Sequence, residues 1–208
     1  MEAGSSREAD LRPAEDPTQT HPAAPTLADP APLGLACFAT TTFVLSIFNA
    51  NLVNPAGTTV VLGLTLATGG IGQLIAGWWE FHNGNTFGAT VFTSYGTFWL
   101  SFFVLLKLTP AAGATPTAIS VYLYAWTIFT IFILVASLKT AGAIVVTLLL
   151  LVITLLLLAI SYAGGSSSLL HLGGYFGIAT ALAAWYTSAG GLLAAMYGRE
   201  ILPLKPLA

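Results

Sequence analysis

Residues 141–162 read AGAIVVTLLLLVITLLLLAISY, twenty-two positions without a charge, with Thr147, Thr154, Ser161 and Tyr162 as the only polar side chains. Wound as an α-helix at 1.5 Å per residue, the stretch reaches about 33 Å. That matches the hydrocarbon core of a bilayer. Lys139-Thr140 precedes it and Gly164-Gly165-Ser166 follows, both of them turn chemistry. Outward from this segment, five more stretches have the same length and character: Pro32–Leu52, Pro55–Trp79, Phe87–Lys107, Pro116–Leu138 and Leu172–Gly198. Asn54-Pro55, His82-Asn83-Gly84-Asn85 and the interval from Thr109-Pro110 to Thr115-Pro116 break them. Connections this short make neighbours antiparallel, so the expected fold is an all-α integral membrane protein, six transmembrane helices in a compact bundle.

Composition agrees. The 208 residues are 56% hydrophobic and 7% charged, with a mean hydropathy of +0.83. A soluble domain carries about 25% charged residues, and one this small exposes a broad surface that water must wet. Between Pro30 and Gly198 the formal charges are Glu80, Lys107 and Lys139. No basic patch suggests nucleic acid. A lone cysteine, Cys37, rules out an intrachain disulfide. No Cys/His cluster, phosphate loop or nucleophile elbow is present, so neither a metal, a cofactor nor an enzymatic activity is expected. His82 and His171 are expected in loops on opposite sides, too far apart to share a metal.

Residues 1–28, rich in Pro, Ala, Thr and acids, read as a disordered tail; residues 29–203 form the membrane domain and 204–208 a short second tail. With six spans and the first end inside, the inner segments hold Arg7, Arg12, Lys139, Arg199 and Lys205, and the outer loops hold Lys107. That bias places both termini in the cytoplasm. Trp78 and Trp79 read as interfacial anchors. Gly69, Gln73 and Gly77 share one helix face, as do Gly173, Gly177 and Ala181; such stripes serve tight packing within one bundle or between subunits.

The spans are studded with hydroxyls and amides. Thr40, Thr41, Thr42, Ser46 and Asn49 lie in the first, Gln73 in the second, and Thr90, Thr93, Ser94, Tyr95 and Thr97 in the third. Most such hydroxyls bond back to their own helix. A path for a small carboxylate nevertheless needs donors to replace lost water, without a full charge that would trap the ion. Asp29-Pro30-Ala31-Pro32-Leu33-Gly34 opens the first span, where prolines suit the first turn and the free N–H groups favour an anion. Glu80, after Trp78-Trp79, is a coupling or gate acid, paired with Lys139, or else an exposed loop acid.

Asp29-Pro30-Ala31-Pro32-Leu33-Gly34-Leu35 resembles the Asn-Pro-Ala-Pro-Leu-Gly-Leu signature of the acetate uptake transporter family, the YaaH/SatP-type succinate–acetate permeases. Gly84-Asn85-Thr86-Phe87-Gly88, with Phe92-Thr93-Ser94-Tyr95-Gly96-Thr97-Phe98-Trp99, resembles its second signature. Similarity continues through Ser137-Leu138-Lys139 and Tyr197-Gly198-Arg199 to Leu202-Pro203. The resemblance implies a homo-hexamer in the cell membrane with one pore per protomer. It implies acetate, and in some members succinate, as substrate, moved by a channel or a proton-coupled carrier. It also implies a constriction of Phe38, Tyr95 and Leu151, with Ala184 tied to substrate choice. Physically those three make a hydrophobic gate that closes by dewetting, with Tyr95 and Leu151 near mid-membrane and Phe38 nearer the cytoplasmic end. Thr41, Gln73, Thr93 and Ser94 are the candidate polar lining. The chain departs from the signature at Asp29, expected to act as a helix cap. A neutral pore for ammonia or another small solute, and a membrane sensor without flux, stand as alternatives.

Overall fold

Side chains at the breaks between spans start the helices. In the computed structural model, which describes residues 27–110 and 113–204, Asn54, Asn85, Thr115 and Ser166 each accept a backbone N–H two or three residues ahead. Gly165 and Gly198 end two helices in the left-handed conformation at φ +68° and +65°, where a Cβ is disfavoured. The helices so delimited are α1 (Ala31–Asn49), α2 (Pro55–His82), α3 (Thr86–Lys107), α4 (Pro116–Ser137), α5 (Gly142–Gly164) and α6 (Ser167–Tyr197). Each is long and apolar enough to cross a membrane. The two tails fall outside the described residues except at 27, 28 and 204.

Three boundaries differ from the sequence expectation by three residues or more, the first being the end of α1 at Asn49 rather than Leu52. α6 begins at Ser167 rather than Leu172, because Ser166 caps it; His171 is thereby helical and not in a loop. α2 runs on to His82 rather than stopping at Trp79, which carries Glu80 and His82 onto the helix. α2 is also irregular. It opens with a 3₁₀ turn, Pro55–Thr59, and is π-wound over Leu64–Gly72. Gly69, Gly70 and Gly72 weaken the α preference there, and the wider turns rotate the face presented after Gly72.

Helices meet closely where side chains are small. On α6, a Cβ at Gly174 would strike the backbone of Ala50, and one at Gly177 would strike Ser46 Oγ of α1. Ser188 Oγ donates to Pro32 O at 2.6 Å, and Ser120 Oγ of α4 donates to Ala159 O of α5 at 2.8 Å. On α2, Gly69 abuts Trp99 and Gly77 abuts Thr93. Both glycine stripes are therefore spent within the protomer. Between α3 and α4 the contact is aromatic instead: Phe98 lies 5.1 Å from Trp126 and 5.8 Å from Tyr122, ring centre to ring centre. Small residues on one side and large rings on the other leave space between α1, α3, α4 and α5. The start of α1 and the end of α6 share one face of the bundle, called here the terminal face; the opposite one is the far face.

Gly177→Val should force α1 and α6 apart, at about 1–3 kcal/mol for overpacking, and lower the thermal unfolding midpoint in detergent relative to Ala179→Val on the same helix.

Candidate functional site

A cavity of about 140 Å³ opens between α1, α3, α4 and α5 toward the far face. α1 contributes Phe38, Thr42, Leu45, Ser46 and Asn49 to it, spaced i, i+4, i+7, i+8 and i+11, which is one helix face. α3 contributes Tyr95, Phe98, Trp99, Phe102 and Leu106 at a matching spacing. A second cavity of about 30 Å³ lies on the terminal side, bounded by Gln73, Phe92, Ile144 and Thr147 among others; it has room for about one or two waters. The residues bordering both cavities are Phe38, Tyr95 and Leu151. They form the partition. All three are buried, and the rings of Phe38 and Tyr95 lie 5.7 Å apart.

Tyr95 is fixed by a directed chain of hydrogen bonds. Thr130 Oγ1 gives its one proton to Trp126 O at 2.7 Å. The 2.8 Å contact between Tyr95 and Thr130 must then be donated by the tyrosine. Its proton is thus committed to α4, and toward the partition Tyr95 presents ring surface. Donors lie farther out. Thr42 Oγ1 and Trp99 Nε1, both in residues lining the larger cavity, are buried and have no partner.

The remaining buried side-chain polar atoms without partners among the described residues are Gln73 Oε1 and Nε2, Thr93 Oγ1 and Glu80 Oε1. They follow the seam of α2 against α3. Glu80 is 1% exposed. Its Oε2 accepts from Asn85 Nδ2 at 2.9 Å, while Asn85 Oδ1 accepts Gly88 N–H at 3.0 Å. A Cβ at Gly88 would sit 2.7 Å from Glu80 Oε1, so the glycine is what makes room for the carboxylate.

The model of the GPR1/FUN34/yaaH family matches residues 11–201. The chain belongs to this family. It is 38% identical to the "Succinate-acetate/proton symporter SatP" of Escherichia coli K12 over 182 residues, covering 86% of this chain and 95% of that one. It is 37% identical to the "Ammonia transport outward protein 2" of Saccharomyces cerevisiae, over 79% of this chain and 61% of that one. The structure of the bacterial acetate channel SatP superposes with a TM-score of 0.81 at 37% identity, covering 86% of this chain and 99% of that one.

Within this GPR1/FUN34/yaaH member the expected site residues are distributed unevenly. Phe38, Tyr95 and Leu151 come together, and Ala184 is buried in the same core cluster. Phe38 is level with the other two rather than nearer one end, because α1 spans only Ala31–Asn49 and puts it near the helix middle. Gln73 borders the smaller cavity. Thr41, Thr93 and Ser94 border neither cavity. Thr41 Oγ1 donates to Cys37 O at 3.0 Å and abuts α2 at Gly69, Thr93 faces Gly77, and Ser94 is half-buried elsewhere. Thr42, one residue on and about 100° around the helix, holds the position toward the cavity. Asp29 Oδ1 accepts Ala31 N–H at 2.9 Å, but the N-cap position of α1 is Pro30, without a side-chain cap, so the acid sits one residue ahead of the capping position expected of it. Pro30 O accepts Gly34 N–H, and Gly34 lies against the Phe92 ring. Glu80 is neither exposed nor paired with Lys139, which is itself exposed; its carboxylate accepts from Asn85 instead.

Thr42, Trp99 and Thr130 were missed. The signal for Thr42 was its i+4 spacing from Phe38; Thr130 carries none, since only packing sets it under Tyr95.

Tyr95→Phe removes one buried hydrogen bond and keeps the ring, so it should cost about 0.5–1.5 kcal/mol in thermal unfolding. Thr130→Val should cost a similar amount, and the double variant less than the sum, because the two residues share one bond.

Proposed function

We propose that this protein passes small carboxylates across a cell membrane, acetate first and the dicarboxylate succinate as a larger second substrate, through a pore in each protomer of a homo-hexamer. The observation that carries the reading is the pair of cavities, one toward each face, that meet only across Phe38, Tyr95 and Leu151. Three apolar faces in contact exclude water, and an ion stripped of water pays heavily to enter. The partition is thus a gate that stays shut by dewetting and yields when side chains turn aside. Outside it, Thr42 and Trp99 offer unspent donors, which favour an anion over a cation and hold no charge that would trap it. The names of the bacterial relatives support the substrate class.

Lys139 and Arg199 lie on the terminal face and Lys107 on the far face, which supports cytoplasmic termini. The 30 Å³ cavity then faces the cytoplasm and the larger one the exterior. Ala184, packed into the core that holds the gate, would act on substrate choice through the room it leaves those side chains.

Passage of ammonia is the second reading, favoured by the name of the yeast relative and by the neutral lining. Labelled-acetate exchange in proteoliposomes, corrected for protein-free vesicles, separates the two. Saturable exchange that propionate and formate inhibit is the expected result; no exchange above background, together with accelerated ammonia entry, would transfer the protein to the second reading.

Leu151→Ala removes the aliphatic third of the gate. It should raise exchange of succinate relative to acetate severalfold in the same vesicles; an unchanged ratio would remove Leu151 from the constriction.

A further inference from the structure

The polar atoms left without partners fall into two groups, and the pore accounts for only one. Thr42 and Trp99 belong to the outer cavity. Gln73, Thr93 and Glu80 do not: among them, Gln73 alone reaches a cavity wall, and the other two follow the α2–α3 seam away from it. Gln73, Gly77 and Glu80 are spaced i, i+4 and i+7 on one face of α2, and Thr93 Oγ1 sits against Gly77, between them. The ladder covers about 10 Å, in steps of about 5–6 Å. A step of that size is what one bridging water spans.

A native interior rarely leaves four polar side-chain atoms unpaired in one seam. Glu80 is the most costly of them, since a carboxylate sealed from water calls for a partner on each oxygen. Asn85 serves Oε2; Oε1 has no partner. Among the described residues no cation supplies the balance. The helices packed against this end of α2 are α1 and α3. Before α1 lies Asp29, the acid whose field reaches Glu80. α1 carries Cys37, against Gly72, and α3 with its cap offers Thr93 and Asn85, neither titratable, with Tyr95 bonded away to α4. His82 on α2 itself lies against Trp79 with its ring tilted, and Lys139 is exposed. A proton on Oε1 removes the uncompensated charge and supplies the missing donor.

We infer that Glu80 is the proton-binding site of this protein, linked to the cavity beneath the gate by the seam through Thr93 and Gln73. The inference rests on the carboxylate reading given above. The gate is apolar and passes a neutral acid at less cost than an anion. The carboxylic acid crosses it undissociated. Below the gate its O–H bond breaks, and the proton moves through water held on the seam to Oε1 of Glu80. The carboxylate leaves to the terminal side, and Glu80 then gives the same proton to water on that face. One proton and one monocarboxylate move together, no net charge crosses, and nothing is oxidised or reduced. Gly88 keeps the space and Asn85 holds the other oxygen, so both are positioning residues.

The test compares wild type, Glu80→Gln and Thr93→Val in proteoliposomes, with labelled-acetate exchange and net uptake driven by a pH gradient measured on the same preparations. Glu80→Gln fits the space that Gly88 leaves and keeps a partner for Asn85 but cannot take up and release a proton. It is expected to retain exchange and to lose about tenfold or more of the gradient-driven uptake; Thr93→Val is expected to lose part of it. Glu80→Gln that still accumulates acetate as wild type does would overturn the assignment. So would a wild-type current reversing at the acetate equilibrium potential, because an anion moving alone needs no proton site. If both variants lose exchange as well as uptake, the seam is structural and the proposal fails. Absence of exchange in the wild type is a different outcome, one that removes the carboxylate reading itself.

Discussion

How closely two helix backbones can approach governs the architecture of this protein. In lipid no hydrophobic force drives helices together, so contact area and the size of the side chains between them set the spacing. Gly174 and Gly177 let α6 press onto α1, and Gly69 and Gly77 let α3 press onto α2. Phe98, Phe102, Tyr122 and Trp126 cannot be compressed in the same way, and they hold α3 away from α4. The cavity is the difference between these two spacings. A bundle built with small residues throughout would close it, and one built with rings throughout would have no firm wall to line it.

The same economy governs polarity. Most hydroxyls in the spans spend their proton on a carbonyl of their own helix, as Thr127, Thr147, Thr154 and Thr187 do, and they add little to the chemistry of the bundle. What distinguishes the functional regions is where this rule stops. Thr42 and Trp99 keep unspent donors in the lining of the outer cavity, and Gln73, Thr93 and Glu80 keep unspent atoms along the α2–α3 seam. Between the two groups stands the partition, where Tyr95 has its proton tied to Thr130. Unspent donors therefore line the larger cavity, ring and alkyl surface forms the partition, and the buried carboxylate lies off both cavities along the seam.

Much of the candidate site could be read in the chain, but unevenly. Phe38, Tyr95 and Leu151 came from resemblance, since a phenylalanine and a leucine in a membrane helix otherwise look like lipid-facing or packing residues. The polar lining was harder. Thr41 and Thr42 are neighbours of the same type, and nothing in their local composition says which one turns to the cavity; the phase relative to Phe38 does. Thr93 and Ser94 lie in a motif dense with hydroxyls, yet the face that α3 gives to the cavity is Tyr95, Phe98, Trp99 and Phe102. Glu80 reads either as a coupling or gate acid or as an exposed loop acid, because the tryptophans before it suggest the end of a span. α2 continues past them, and the missing side chain of Gly88 admits the carboxylate.

The sequence by itself determined that this chain is a six-helix membrane protein, and where each helix begins and ends to within a few residues. Those properties follow from local causes: runs of apolar residues as long as a bilayer is thick, and turn residues whose side chains bond to backbone a few positions away. Tertiary structure alone decided which hydroxyl faces the larger cavity, that Phe38, Tyr95 and Leu151 border both cavities, and that Glu80 is buried between α2 and α3. Such properties depend on the rotation of one helix against another. A π-wound stretch such as Leu64–Gly72 shifts that rotation without changing how apolar the helix is, so composition and periodicity leave it open.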